Sequence, residues 1–237
     1  MYKIIVGVIV MLTLILLISF PLIVLLRIME YNKLYPTYRT KRVNISDLYD
    51  TINTGDILLF VSSSHFPANS AFSHTFFTHS AVLWKSNNNI LTSESQNGTE
   101  LLNINGKEIF MDKGSTYTYL LPRIKYYTGN VYIMKLKKKL DNEKEKKIIN
   151  TIKDTNGYPY PSMIDIFKSI IFKASTTRHC FQHVGYILNK SGVTNLNINN
   201  LIQICKDVCN LNLSSKYEES LYNEPIHILY NIDTIKG

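Results

Sequence analysis

The sequence predicts an α+β fold in which an antiparallel sheet packs against helices, preceded by a transmembrane helix. Strand patterns come first along the chain and helical patterns come later, whereas a doubly wound parallel sheet would alternate them. The composition, 45% hydrophobic and 19% charged, is typical of a globular chain, and 237 residues are enough for one domain with some additional sequence.

The N-terminal segment predicts a membrane anchor. Residues 4–26 carry no charge, and a helix of that length extends about 35 Å, enough to cross a bilayer. A cleaved signal peptide is the alternative, but its apolar region normally spans about 7 to 15 residues and ends in small residues. We therefore divide the chain into a transmembrane anchor (1–30), a basic juxtamembrane connector (31–50) and a domain (51–237).

Charge predicts the orientation and the partners. Basic residues are enriched after the span, so the positive-inside rule places the domain in the cytoplasm of a single-pass protein. Asn-x-Ser/Thr motifs would argue for the lumen, but asparagine is so common here that such motifs arise by chance. The net charge of +8 predicts attraction to anionic lipid headgroups. Nucleic acid is not an expected partner, because no stacking aromatics alternate with the lysines of residues 135–147.

Three parts of the chain predict strands. Ile57–Val61 is a short continuous apolar run, which is typical of a buried strand. His79–Trp84 and Ile90–Glu94 predict a hairpin around a turn at residues 85–89. Asn130–Leu136 alternates well enough to form a further strand.

Four later segments predict helices with apolar stripes. Asp141 is placed to cap the first of them and Gly157 to close it, and Ser162 is placed to cap the second. The four segments are residues 141–157, 162–175, 180–192 and 201–209.

Cys180 is the candidate nucleophile, because it lies at the start of the third predicted helix. Ser175, Thr176 and Thr177 are candidate caps for that helix. The dipole and free N–H groups of a helix N-terminus stabilise a thiolate, and they also bind the oxyanion that forms when the thiolate attacks a carbonyl. A buried structural cysteine is the alternative. Three cysteines cannot form a complete set of disulfides, which favours a free thiol.

His79 is the candidate base, at the start of a predicted strand. If Leu83 pairs with Ile90, then His79 pairs with Glu94, because the residue numbers of antiparallel partners have a constant sum. Glu94 would then orient the imidazole. A slip of one residue would replace Glu94 by a neighbouring serine and remove this support.

Two other histidines lie near Cys180 in sequence. His179 adjoins it, but neighbouring residues of a helix differ by about 100° in direction and rarely share a site. His183 follows three residues later, and we expect it beneath the thiol rather than beside it.

Metal and cofactor sites are not predicted. The spacing of His65, His74 and His79 matches no standard zinc pattern, and the sequence has no glycine-rich phosphate loop. Cys205 and Cys209 have apolar neighbours and are expected to face the core.

Five short motifs occur in an informative order: Thr54–Phe60, Thr78–Leu83, Leu91–Ser95, Gly157–Tyr160 and His179–Val184. This order resembles the YiiX-like permuted papain amidases, which are circularly permuted relatives of the NlpC-type peptidases and have bacterial and poxvirus members. In that family the histidine strand precedes the cysteine helix, as it does here. The resemblance covers roughly residues 51–195.

The resemblance implies a permuted papain-like fold and a role for each of four residues. Cys180 matches the nucleophile, His79 the base, Glu94 the residue that orients the base, and Tyr160 a tyrosine that lines the site. Members often have Cys-Ser-Glu at the nucleophile, whereas this chain has Cys-Phe-Gln at residues 180–182. This departure bears on which substrate is recognised and on whether the chain is active.

The sequence therefore predicts a membrane-anchored thiol hydrolase or acyltransferase. It would attack an amide or ester bond of a peptide, a lipid or a lipidated substrate and form a thioacyl intermediate. One alternative is a catalytically inactive protein of a cell or virion membrane that retains the fold as a structural or binding module. Another is a peptidoglycan peptidase, which requires an outward-facing domain.

Overall fold

The computed structural model describes residues 42–62, 75, 77–98, 100–104, 107–111, 113–162, 165, 177–211 and 220–230, with isolated helical positions between residues 6 and 26. In this described part, none of the helices has the length and apolar character needed to span a bilayer. The predicted helix at 162–175 lies outside the described residues except for Ser162 and Asp165.

The described elements follow the predicted order, with strands mostly before helices. The strands are β1 (Arg42–Asn44), β2 (Ile57–Ser62), β3 (His79–Ser86), β4 (Asn89–Gln96), β5 (Glu100–Ile104), β6 (Lys107–Met111), β7 (Gly114–Tyr119), β8 (Gly129–Met134) and β9 (Ile226–Leu229). The helices are α1 (Ile45–Leu48), α2 (Leu120–Lys125), α3 (Asn142–Thr155), α4 (Cys180–Lys190) and α5 (Leu201–Cys209).

The main sheet of the described residues has seven strands in the order β1-β9-β8-β2-β3-β4-β7, and β5 pairs with β6 in a separate hairpin. Neighbouring strands from β9 to β7 are antiparallel, as predicted. The edge pair β1–β9 is parallel, so the sheet is mixed rather than wholly antiparallel. Parallel pairing is available to these strands because a long stretch of chain connects them.

Residues 42–50 are part of this fold. They lie in the predicted connector, yet β1 pairs with β9 and the side chain of Ile45 in α1 is fully buried. The predicted domain boundary at Thr51 therefore falls inside the structure. Residues 31–50 are mostly polar, so their composition did not indicate that Ile45 belongs to the core.

The core lies on both faces of the sheet. Ile57 and Leu59 of β2 pack on the face covered by α3, α4 and α5, whereas Leu58 and Phe60 pack on the face covered by α1 and α2. Successive side chains of a strand point to opposite faces, so a strand buried on both sides reads as a continuous apolar run. This arrangement explains why Ile57–Val61 shows no polar alternation.

The predicted caps of α3 and the predicted apolar stripes of α4 and α5 are present in the described residues. The Asp141 side chain accepts a hydrogen bond from the Lys144 N–H at 2.8 Å, and Gly157 beyond the end of α3 has a φ of +82°. α4 and α5 bury the predicted apolar residues, which pack together with β2 in one core cluster. Local capping and periodicity therefore predict these helices well.

Candidate active site

His79 and Glu94 form a hydrogen-bonded pair on the β3–β4 hairpin. His79 Nε2 lies 2.6 Å from Glu94 Oε2. Ala81, rather than His79, is directly opposite Glu94, so the register differs by two residues from the predicted one. An even shift keeps both side chains on one face, and diagonal neighbours remain within reach of long side chains. The predicted contact is thus present in a different register.

Arg123 of α2 contacts this pair from the other side, and no sequence pattern predicted this contact. Its Nε and Nη2 atoms donate hydrogen bonds to the two carboxylate oxygens of Glu94, at 2.7 and 3.0 Å. Both side chains are buried. Two parallel hydrogen bonds to a carboxylate fix its position as well as its charge. Glu94 therefore has little freedom to turn away from His79.

Aromatic rings enclose the Arg123 guanidinium. Its central carbon lies 4.9 Å from the Phe60 ring centroid and 5.2 Å from that of Tyr127. Burial raises the pKa of Glu94, but the charge of Arg123 and the hydrogen bond from His79 outweigh it and hold this pKa well below its usual range. Glu94 is therefore ionised and presents a fixed negative charge to His79.

Cys180 is the first residue of α4, and His179 is the N-cap. The backbone of His179 is extended, with φ −65° and ψ 161°, and its N–H donates to the Gln182 side chain at 3.0 Å. Thr177 does not occupy the cap position, while Ser175 and Thr176 lie outside the described residues. The first-turn N–H groups at Cys180 therefore belong to a well-formed helix start.

The sulfur of Cys180 lies beside two imidazoles. Sγ is 3.2 Å from Nδ1 and 3.8 Å from Nε2 of His179. Burial raises the pKa of the thiol, but the charges of His179 and His79 and their hydrogen bonds to the sulfur outweigh it and lower the pKa to about 5. The residue is 1% exposed. The surroundings of Cys180 therefore favour its thiolate form at neutral pH.

The position of His179 differs from our expectation that it would point away from Cys180. That expectation assumed helical geometry for both residues. His179 precedes the helix, and its extended backbone directs the imidazole toward the sulfur. The difference of about 100° in direction between neighbouring side chains applies within a helix. It does not apply to a cap residue, which lacks helical φ and ψ values.

His79 carries the complementary charge. Burial lowers the pKa of His79, but the negative charge of Cys180, a hydrogen bond to its sulfur, and the hydrogen bond and charge of Glu94 raise it to about 9. Because Nε2 is bonded to Glu94, Nδ1 is the nitrogen left for the sulfur. The arrangement favours a thiolate–imidazolium pair next to an ionised carboxylate.

Tyr160 lies next to His179. Its ring centroid lies 5.7 Å from that of His179. Burial and the charge of Cys180 raise the pKa of Tyr160 above its usual range, so the phenol stays neutral. The preceding turn is fixed to β7, because the Ser115 N–H donates to the Tyr158 carbonyl at 2.8 Å. Tyr160 therefore has a defined place next to His179.

The β4 strand positions both halves of the site. Glu94 faces His79 and Arg123, while the neighbouring serines bond to the segment that carries Cys180. The Ser93 hydroxyl lies 3.0 Å from His183 Nε2, and the Ser95 hydroxyl donates to the Arg178 carbonyl at 2.7 Å. Because adjacent residues of a strand point to opposite faces, three consecutive positions can serve two faces of the sheet.

His183 of α4 faces the sheet, where it contacts serines of β4 and β7. It is fully buried, and its Nδ1 lies 3.4 Å from the Ser115 hydroxyl of β7. Burial, with the nearby charge of Arg178, lowers the pKa of His183 to about 3. A neutral imidazole that bridges two strands holds α4 against the sheet and takes no part in the contacts of the sulfur.

The other two cysteines have raised thiol pKa values, whereas that of Cys180 is lowered. Cys205 and Cys209 are buried in α5, as predicted, and all three cysteines are free. Burial and the charges of the neighbouring cysteines raise the pKa of Cys205, and burial is the main cause that raises the pKa of Cys209. Both therefore remain neutral thiols at physiological pH.

The candidate metal ligands are only partly described. His65 and His74 lie outside the described residues. Among the residues that are described, no group of three or more His, Cys, Asp or Glu side chains has a metal-binding arrangement.

The comparisons with known proteins by sequence and by structure give different results. No family model and no curated protein matched the sequence. The chain is similar to the crystal structure of metalloprotein yiiX from Escherichia coli O157:H7, with a TM-score of 0.45 and 18% identity over 74% of this chain and 88% of that chain.

Proposed function

We propose that this protein is a membrane-anchored thiol hydrolase or acyltransferase that acts on an amide or ester bond. The observation that carries the proposal is the position of Cys180, which starts α4 with its sulfur 3.2 Å from Nδ1 of His179 and beside His79, itself bonded to Glu94. Cys180 has two imidazoles at its sulfur and a pKa of about 5, whereas burial raises the pKa of Cys205 and Cys209. Low-pKa thiolates are the nucleophiles of cysteine enzymes, and structural cysteines are inert.

The proposed reaction begins with the thiolate of Cys180. Its sulfur attacks the carbonyl carbon, and the π electrons move to the carbonyl oxygen, where the N–H groups at the start of α4 stabilise the charge. Collapse of this intermediate breaks the bond to the amine or alcohol, which leaves with a proton. Water or another acceptor then attacks the thioester, loses a proton and releases Cys180 as thiolate.

The substrate class follows from the proposed anchor. Residues 4–26 carry no charge, and the described positions among them are helical with exposed apolar side chains such as Leu14 and Ile15. An anchor in the bilayer would keep the domain near lipids and lipidated proteins, so an acyl ester or acyl amide at the membrane surface is the proposed substrate. The domain would face the cytoplasm or lie in a virion membrane.

Intact-mass spectrometry of the acyl-enzyme tests the function. The full-length chain in detergent is incubated with p-nitrophenyl hexanoate and quenched in acid. We expect one hexanoyl group on the wild type and on Cys205→Ala, and none on Cys180→Ala. Equal acylation of Cys180→Ala and the wild type would remove Cys180 from the mechanism.

Alkaline carbonate extraction of cell membranes tests the anchor separately. The wild type should stay in the membrane pellet, while a variant with Leu14→Lys and Ile15→Lys should be released, because charges at the centre of a span are costly. Release of the wild type would contradict the anchor and leave the acylation result unaffected.

A catalytically inactive binding module is the second candidate, and one observation favours it. Cys180 is 1% exposed, whereas a nucleophile must meet its substrate. If the wild type forms no adduct with esters or amides, and iodoacetamide labels Cys180 only after denaturation, the module is the better account.

A further inference from the structure

Two imidazoles contact the sulfur of Cys180, and they differ in what else holds them. His79 is bonded through Nε2 to Glu94, which Arg123 fixes in turn. Among the described residues, the His179 imidazole contacts this sulfur and the N–H of Gln182 in the first turn of α4, and no carboxylate. His79 is therefore held against a fixed negative charge, whereas His179 is not.

We propose that His179 is a second catalytic residue, which protonates the leaving group and then activates the acceptor, while His79 holds the thiolate. This inference rests on the proposed acyl transfer at Cys180. One histidine would stabilise the thiolate and the other would transfer protons, whereas a single histidine would otherwise do both at different stages of the reaction.

The position of His179 suits proton transfer. The residue is partly exposed, whereas Cys180 beneath it is buried. Its ring is held by neighbours on two sides, with centroids 5.7 Å from Tyr160 and 6.0 Å from Phe181, the latter stacked at 20°. A group bonded to the carbonyl carbon at Sγ would meet an imidazole that is already oriented and in contact with water.

His79 is less suited to this task. Its Nε2 lies 2.6 Å from a buried carboxylate, and the charges of Cys180 and Glu94 contribute to raising its pKa to about 9. A proton held so firmly is a poor donor to a leaving group near neutral pH, because general acids are most effective when their pKa lies near the working pH.

The proton balance closes over one cycle. As the tetrahedral intermediate collapses, protonated His179 gives its proton to the departing nitrogen or oxygen, and the acyl group stays on sulfur. Neutral His179 then takes a proton from water as the water oxygen attacks the thioester carbonyl. Collapse breaks the carbon–sulfur bond and returns the thiolate and protonated His179, with one water consumed.

Leaving-group dependence tests this division of roles. p-Nitrophenolate leaves without a proton, whereas an anilide nitrogen needs one. With p-nitrophenyl hexanoate and hexanoyl anilide as probes, we expect His179→Ala to lose about 100-fold more acylation rate with the anilide than with the ester, the usual scale of general acid catalysis. Its acyl-enzyme should also persist longer, because water is no longer activated.

The matched comparator is His79→Ala, which should lose acylation from both probes because the thiolate is no longer paired. His179→Gln repeats the measurement with a side chain that can still bond to the sulfur and cap the helix, should the alanine variant fold poorly. Rescue of His179→Ala anilide cleavage by added imidazole would support proton transfer.

Three results separate the proposals. Equal losses on ester and anilide in both His179 variants would make His179 a positioning residue and overturn the inference. Unchanged rates on both probes would overturn it as well. Absence of any wild-type adduct would instead contradict the proposed function itself.

Discussion

Arg123 holds Glu94 through two hydrogen bonds, from Nε at 2.7 Å and Nη2 at 3.0 Å, in a place where both side chains are buried. The pair fixes a negative charge next to His79. A buried ion pair of this kind contributes little net stability compared with apolar residues, but the loss of one partner leaves an uncompensated charge. The same two residues therefore affect both the stability of the fold and the charge next to His79.

Replacing Arg123 by Met should destabilise the protein by about 3 to 5 kcal/mol, because Glu94 remains buried without its main partner. Urea denaturation followed by tryptophan fluorescence measures this loss. The double variant Arg123→Met with Glu94→Leu is the control and should recover most of the stability. A double variant as unstable as the single one would show that packing of Arg123, rather than charge, is responsible.

Acid should destabilise the fold through His183. Its pKa is lowered from 6.5 to about 3 in the folded state by burial and by the charge of Arg178. Below pH 6.5 the unfolded chain binds a proton that the folded chain does not. The free energy of unfolding therefore decreases by roughly 1.4 kcal/mol for each unit by which the pH is lowered. This loss ends near pH 3. Denaturation across this range should show a shallower slope for His183→Gln, and parallel slopes would contradict the assignment.

Gly114 fixes the turn that carries Tyr160. It has a φ of +125°, and an added Cβ would lie 2.5 Å from the Tyr158 carbonyl oxygen. Gly114→Ala should therefore cost about 1 to 3 kcal/mol from the backbone strain alone. Gly98→Ala is the matched control, because nothing lies within 4 Å of its added Cβ. Equal melting temperatures for the two variants would contradict this account of the turn.

Thiol labelling should be selective among the three cysteines. Iodoacetamide at pH 7 should modify Cys180, while Cys205 and Cys209 stay unmodified because burial raises the pKa of each. Peptide mapping by mass spectrometry identifies the labelled residue. Faster labelling of Cys205 than of Cys180 would show that the reactive thiol lies in α5 rather than in α4, and would contradict this prediction.

Local patterns predicted part of the fold, although they missed the hairpin of β5 and β6 and the strand β7. The apolar run of β2, the hairpin and the capped helix α3 were all predicted, because periodicity and turn residues determine them locally. β1 and β9 were not, since each is short and its partner lies far along the chain. Their pairing depends on tertiary structure that no local pattern encodes.

The hairpin register shows the limit of turn prediction. We expected a turn at residues 85–89, whereas β3 runs to Ser86 and β4 begins at Asn89, which leaves only two residues between them. Asn87 has a φ of +52°, a conformation that tight two-residue hairpins require and asparagine tolerates. The tighter turn moves the register by two residues and preserves the face on which Glu94 lies.

The candidate site was predicted in part. Cys180, His79, Glu94 and Tyr160 were named from the sequence, and the structure brings them together. Arg123 was missed because a lone arginine in a six-residue helix carries no pattern. Its role depends on a carboxylate from another element. The contact of His179 was missed because the exact start of a helix is the least predictable part of it.

The ionisation of Cys180 in the folded protein is the most direct test of the account. The rate of iodoacetamide alkylation is measured against pH in the full-length chain with Cys205→Ala and Cys209→Ala, with and without His79→Ala. We expect a midpoint near pH 5 when His79 is present and a higher one when it is absent, since the imidazolium stabilises the thiolate. A midpoint near pH 9, the ordinary thiol pKa, with or without His79, would contradict the thiolate–imidazolium pair on which the proposed chemistry depends.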